Sequence, residues 1–130
     1  SGMTGPVDFK TLTRTGKPND YLLAPDGLCE AATPDGGSPS FTEAPSALFK
    51  RMTSLVAAGK GVTQLAVDEE SFTLSYVAVT PLLRFKDDVP LKVLPKGGGA
   101  QVAAYSAGSG GYSDLGTNKK RVDGLIAALS

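Results

Sequence analysis

The clearest pattern in the chain is the alternation from Ser71 to Thr80. Phe72, Leu74, Tyr76 and Ala78 fall on one face, and Thr73, Ser75, Val77 and Val79 on the other, the period of two of a β-strand. Pro81 ends it. A second strand is predicted over Val62 to Val67, joined to the first by the turn residues Asp68-Glu69-Glu70. A third runs from Asp87 to Leu94 with Val89, Leu91 and Val93 on one face. Pro90 lies inside it and predicts an edge strand or a bulge, because proline brings no N–H to a ladder. After Pro95 and a loose turn at Gly97-Gly98-Gly99, Ala100 to Ala107 returns as a fourth strand. Two stretches have helical spacing instead. Leu48, Met52, Leu55 and Val56 form one apolar stripe, on a helix expected to start near a capping Thr42, with Glu43 in its first turn and Pro45 tolerated early. Gly59 and Gly61 stop it. Val122, Leu125, Ile126 and Leu129 mark a second helix over Thr117 to Leu129. Short connections make neighbouring strands antiparallel. The expected fold is α+β: a twisted antiparallel sheet of about four to five strands with two helices covering one face.

Residues 4–40 lack a sustained period and are rich in Pro, Gly, Asp, Ser and Thr. Pro18, Pro25, Pro34 and Pro39 fix local turns. Only Val7-Asp8-Phe9 and Tyr21-Leu22-Leu23-Ala24 are apolar enough to need burial, which argues against a disordered tail. This third is expected to be an irregular but ordered arm that lays these two short extended pieces on an α+β domain of residues 41–130, in a single domain overall. Ser1-Gly2 ahead of Met3 looks like the scar of a cleaved tag, so residues 1–3 are set apart.

Composition narrows the function classes. The 130 residues suit one domain able to bury a core without disulfides. The 13 basic and 13 acidic side chains cancel, which argues against a general nucleic-acid binder while leaving room for a local basic patch. There is no histidine, which removes the usual general base and the commonest zinc ligand. Cys29 is the only cysteine, so no internal disulfide forms and the redox compartment is not readable. No apolar run reaches the roughly 18 residues of a membrane span. No signal peptide is visible; with a leader removed ahead of Met3 the protein would be periplasmic or membrane-anchored, and otherwise cytoplasmic. No cofactor is implied.

Three segments carry a resemblance. FKDDV at Phe85 to Val89, YSAGSGGYSDLGTNKKRVD at Tyr105 to Asp123, and KPNDYLLAPDGLC at Lys17 to Cys29 resemble the domain of unknown function 1499 family, the last segment its bacterial branch. The resemblance implies a small single α+β domain of a family found in bacteria and photosynthetic eukaryotes, many of whose members are similar to secreted or membrane-anchored proteins. It brings no activity, cofactor or substrate. Relatives carry a segment of the type R-S-A-S-R before the GYSDLG run. Here those positions read Tyr105, Ser106, Ala107, Gly108 and Ser109, so both arginines are missing. If they hold an anion in relatives, that role is weakened or lost here.

The candidate chemistry gathers at Gly111 to Arg121. Gly111-x-x-x-x-Gly116 has the glycine spacing of a phosphate loop, but Thr117 and Asn118 stand where Lys and Ser or Thr are needed. A glycine-rich loop entering a helix still offers free N–H groups and a positive dipole end. Lys119, Lys120 and Arg121 crowd that end, where cations are disfavoured. Either Asp87, Asp88 and Asp114 neutralise them, or a phosphate or carboxylate does. Asp114 or Ser113 is also suited to cap a turn. The candidate ligand-binding residues are Ser113, Asp114, Asn118, Lys119, Arg121, Asp87 and Asp88. Asp87 and Asp88 as an acid/base or metal pair are disfavoured, since adjacent strand residues point to opposite faces; a hard cation would need Asp114 or Asn118 as well. Cys29 is read as a packing residue, and a dyad of Ser106 or Ser113 with Lys119 has nothing in its favour. Tyr105 and Tyr112 are read as packing against the sheet rather than lining a pocket. The expected function is a non-catalytic binding module for a small anion or a protein partner at the Gly108 to Arg121 surface. The alternatives are a structural or accessory domain, and an enzyme of unrecognised type using Asp, Ser or Lys.

Overall fold

The computed structural model describes residues 7–130. The tag scar expected at residues 1–3 lies outside them. The elements are β1 (Asp20–Leu23), α1 (Pro45–Ala57), β2 (Val62–Asp68), β3 (Thr73–Val79), β4 (Lys86–Lys96), β5 (Gly99–Gly108) and α2 (Thr117–Leu129). The five strands form one antiparallel sheet in the order β1-β5-β4-β3-β2. Both helices lie on one face, where Leu48, Met52 and Val122 meet Leu74, Leu91 and Val102. Fully burying one such leucine or valine contributes about 1.5–3 kcal/mol. The other face is covered by the segment before α1: Phe9, Leu22 and Ala24 pack with Ala103, Tyr105 and Ala107. The fold class expected from periodicity is the one observed.

Strand β1 comes from Tyr21-Leu22-Leu23, and its alternation splits these residues between the two faces. Leu23 joins the helix side and Leu22 the opposite side. Pro90 does not mark an edge or a bulge. It is buried in β4, a central strand, opposite Ser75 of β3. Toward β5 the register on either side of it is unbroken, Asp88 facing Ala107 and Leu91 facing Ala104, and proline sits where that ladder is interrupted. The turn at Gly97-Gly98 is tight rather than loose, since Lys96 already faces Gly99. Gly99 has a separate reason to be glycine: a Cβ there would lie 1.9 Å from the carbonyl oxygen of Phe41.

Helix α1 starts later than Thr42. Phe41 exchanges both backbone hydrogen bonds with Ala100, at 2.8 and 2.9 Å, which holds the chain extended there. The N-cap is Ala44, without a side-chain cap, and Pro45 opens the helix. Glu43 pairs instead with Arg51, Nη2 to Oε1 at 2.5 Å. The buried stripe is Leu48, Phe49, Met52 and Val56, while Leu55 is exposed on the flank. Phe49 takes the place expected for Leu55 and stacks at 5.6 Å on Phe72.

Candidate functional site

One end of the sheet collects most of the sequence's candidate residues. The start of β1, the end of β5, the start of β4, the end of β3 and the start of β2 all meet there. The loops at this end are 13–19, 58–61, 80–85 and 109–116.

Strand alternation decides which carboxylates face α2. Val89, Leu91 and Val93 face the helices, so Asp87 does too, and Asp88 faces the opposite side. Asp87 is buried and its Oδ2 takes a hydrogen bond from Arg121 Nη1 at 2.8 Å. The same Nη1 donates to Asn118 Oδ1 at 2.8 Å and Ser106 Oγ at 3.1 Å. Ser106 in turn donates to Asn118 Oδ1, and Asn118 Nδ2 donates to the Asn19 carbonyl at 3.0 Å. Ser106 and Asn118 are fully buried. This network ties α2, β5, β4 and the start of β1 together.

Asp114 solves the electrostatic problem at the start of α2. Gly116, the N-cap, has φ +83°, a conformation that favours glycine. Its geometry lets the Asp114 carboxylate reach over the first turn. Oδ1 accepts from the Gly116 N–H at 2.8 Å. Oδ2 accepts from the Asn118 N–H at 3.0 Å and from Asn118 Nδ2 at 2.7 Å. Burial works to raise the Asp114 pKa, but these hydrogen bonds together hold it below the usual aspartate value. A carboxylate of the chain thus occupies N–H groups that a phosphate would otherwise use. Ser113 Oγ accepts from the Leu115 N–H at 3.2 Å in a local turn.

The three cations that crowd the start of α2 part company. Arg121 turns inward to Asp87. Lys119 bonds Asp123 at 2.6 Å, one helical turn on, and lies 5.6 Å from the ring centroid of Tyr21. Lys120 is exposed, with no ion pair among the described residues. Asp88 joins none of this, which corrects the expectation that it helps to neutralise the cluster. Its Oδ1 is buried without a hydrogen-bond partner among the described residues, and burial raises its pKa. The structure therefore brings together Asp87, Ser106, Asn118 and Arg121, with Asp114 on Asn118. It keeps Asp88 apart and leaves Lys119 and Ser113 to local partners.

A second charge cluster, which no sequence motif marks, lies in the arm. Arg14 clamps Asp20, Nη2 to Oδ1 at 2.8 Å and Nε to Oδ2 at 3.1 Å, and also meets Asp35 at 2.6 Å. Tyr105 donates to Asp20 Oδ2 at 2.6 Å, so it is a buried anchor of the arm. Burial works to raise the Asp20 pKa, but the bonds from Arg14 and Tyr105 bring it below its usual value. Tyr112, by contrast, is exposed. Cys29 is half-buried against the arm-side cluster, and burial raises its pKa, the opposite of what a reactive thiol needs. Among the described residues no group of three His, Cys, Asp or Glu side chains is placed to hold a metal, and no helix is long and apolar enough to cross a membrane.

In the β3–β4 loop, Pro81 to Lys86, the sequence reading assigns no role to Leu82, Leu83 and Arg84. All six residues are exposed, Leu82 at 97% and Leu83 at 73%. The signal was there: Leu82, Leu83 and Phe85 belong to no strand or helix period.

An antiparallel five-stranded α+β domain, with a glycine loop locked to its last helix by a buried arginine–aspartate network, is the class these observations define. The chain belongs to the DUF1499 family, described as proteins of unknown function, whose model matches residues 18–129. That span includes every residue of the network above. A comparison with curated proteins finds no match.

Proposed function

We propose that this domain is a non-catalytic binding module whose contact surface is the loop end of the sheet, built around Gly108 to Arg121, and whose partner is anionic. One observation carries the reading. Of the acids at this end Asp87 is held by Arg121, Asp114 by Asn118 and Asp20 by Arg14, and Asp88 is half-buried on the other face of the sheet, while Lys17, Lys60, Arg84, Lys86 and Lys120 are exposed and form no ion pair among the described residues. A surface whose negative groups are withdrawn and whose positive groups are left in water attracts anions. Ser113, Lys119 and the glycine backbone at 110–111 lie on the same surface and are the contacts a small anion would use. Asp87, Asn118, Arg121 and Asp114 shape that surface rather than bind.

A thermal-shift and NMR titration of the whole chain with phosphate, nucleotides and carboxylates tests this. The expected result is a raised melting temperature and shifted amide signals at 108–121. A flat melting temperature with unmoved signals contradicts it. The buried Asp87–Arg121 network favours a second reading, a structural or accessory domain in which the bracket only fastens α2; a flat titration would leave that one standing. An enzyme draws less support, because Asp87 and Asp88 face opposite sides and the group that meets Asp87 is Arg121, an ion-pair partner that does not give up its proton.

A further inference from the structure

We propose that the loop end of the sheet docks on an anionic lipid bilayer, with Leu82, Leu83 and Phe85 entering the headgroup layer and the surrounding cations holding lipid phosphate and carboxylate groups. The proposal rests on the reading of this end as a binding surface and names its partner.

The apolar side chains come first. Leu82, Leu83 and Phe85 are 97%, 73% and 61% exposed on the β3–β4 loop. On the neighbouring β5–α2 loop Tyr112 and Leu115 are 71% and 89% exposed. The two loops are joined: Ser109 donates to the Lys86 carbonyl from its N–H at 3.3 Å and its Oγ at 2.8 Å. The β3–β4 loop is a closed, shaped turn, with Thr80 N–H on the Phe85 carbonyl and Phe85 N–H on Thr80 Oγ1, both at 2.8 Å. Leu82, Arg84 and Leu115 all have positive φ, which non-glycine residues rarely adopt. Isolated exposed leucines need no account, but five large apolar side chains on two joined loops do.

Charge selects the occupant. Arg84 and Lys86 interleave with the leucines and the phenylalanine, and Lys17, Lys60 and Lys120 stand on the adjoining loops and the first turn of α2. The opposite end of the sheet carries the acidic turn Asp68-Glu69-Glu70 between β2 and β3. Lys92 and Lys96 also lie toward that opposite end, so the polarity is partial: in a chain of zero net charge, five cations without ion pairs among the described residues, Lys17, Lys60, Arg84, Lys86 and Lys120, stand with the apolar tips. An anionic bilayer attracts juxtaposed cations and accepts apolar side chains within the same few ångströms. Shape agrees. The apolar groups sit on loops, and two hollows, beside Ala66 to Ser75 and between α1 and Ala128, lie away from them. A folded protein partner needs a hollow to receive such tips, while a lipid headgroup layer deforms around them.

The test is co-sedimentation of the whole chain with phosphatidylcholine vesicles, with and without phosphatidylserine. Binding is expected to the phosphatidylserine vesicles and to weaken in high salt. The double variant Leu82→Ser/Leu83→Ser should lower partitioning at least roughly tenfold, and Arg84→Gln or Lys86→Gln about fivefold each. These side chains are exposed, so the melting temperature should not change. No partitioning, or partitioning unaffected by the leucine variants, overturns the proposal. Polyglutamate titrated in solution separates the two levels. If vesicles fail while polyglutamate shifts amide signals of 81–86 and 108–121, the bilayer is the wrong partner and the binding surface stands. If neither probe touches this end, both readings fall.

Discussion

Between Gly108 and Arg121 nearly every charged or hydrogen-bonding side chain is turned onto the same chain, whereas the adjoining loop from Pro81 to Lys86 turns all its side chains to water. Both loops leave the same end of the sheet, and Lys86 and Ser109 connect them. The glycine bracket holds a specific sequence run, yet its groups are occupied: Asp114 covers the start of α2, Arg121 neutralises Asp87, and Lys119 neutralises Asp123. The plainer loop has groups left over. The difference teaches that a motif-rich segment can serve to position a surface, while the surface itself is made by residues with no motif at all.

Breaking the bracket should have the largest effect. Arg121→Met leaves the buried Asp87 carboxyl without its partner, and unfolding in urea should show a loss of about 3 kcal/mol, the lower end of the range for a broken buried pair, since Arg121 keeps some exposure. A loss below about 1 kcal/mol would mean that Asp87 is wetter or better solvated than its geometry indicates.

The helix cap comes next. Asp114→Ala should lose about 1 kcal/mol, in line with other N-terminal carboxylate caps. Its pH dependence follows from the sign of the shift. Asp114 and Asp20 are held below the ordinary aspartate value of 3.8, so each binds a proton less readily folded than unfolded. Their contribution is complete above that ordinary value and is lost as the pH falls through the lower folded values. Stability should therefore drop below about pH 4, and Asp114→Asn should flatten the fall. An unchanged slope in that variant would assign the acid sensitivity elsewhere.

The smallest effect belongs to the residue next door. Asp88 has its pKa raised by burial and no partner for Oδ1 among the described residues, so its charge opposes folding at neutral pH. Asp88→Asn should leave stability unchanged or raise it slightly. A clear loss would show that Asp88 has a cationic partner after all.

Much of this architecture is legible from periodicity because the pattern and the burial share one cause. β3 alternates since one face of it meets Leu48 and Met52, and the helix stripes recur because they meet the sheet. Misreadings occur where tertiary contacts override local preference. Pro90 sits in a central strand because the ladder toward β5 has a gap for it, which no local signal announces. Thr42 does not cap, because the Phe41–Ala100 bridge keeps the chain extended past it. The extended piece expected in the arm at Tyr21 to Ala24 is β1, and only its pairing with β5 as an edge strand is beyond what the arm's composition signals.

In the site, adjacency in sequence misled where alternation did not. Asp87 and Asp88 look like one acidic unit, but a strand sends them to opposite faces, and only Asp87 reaches Arg121. The sequence marks Asn118 as a ligand candidate, and its part in fastening α2 to Ser106 and Asn19 follows only from the packing. The Arg14–Asp20–Tyr105 clamp joins residues 85 positions apart, a separation no spacing rule spans. Leu82, Leu83 and Phe85 were visible as apolar residues outside any period, and that mismatch is itself the signal of an exposed apolar loop.

A double-mutant cycle between Asp87 and Arg121, using Asp87→Asn and Arg121→Met and followed by urea unfolding at low and high salt, bears most directly on the claim that the chain neutralises its own bracket. A coupling of roughly 2 kcal/mol that barely changes with salt is the expected result, as for a pair withdrawn from water. Additive single effects, within about 0.5 kcal/mol, would contradict it and return Arg121 to the cations available for a ligand.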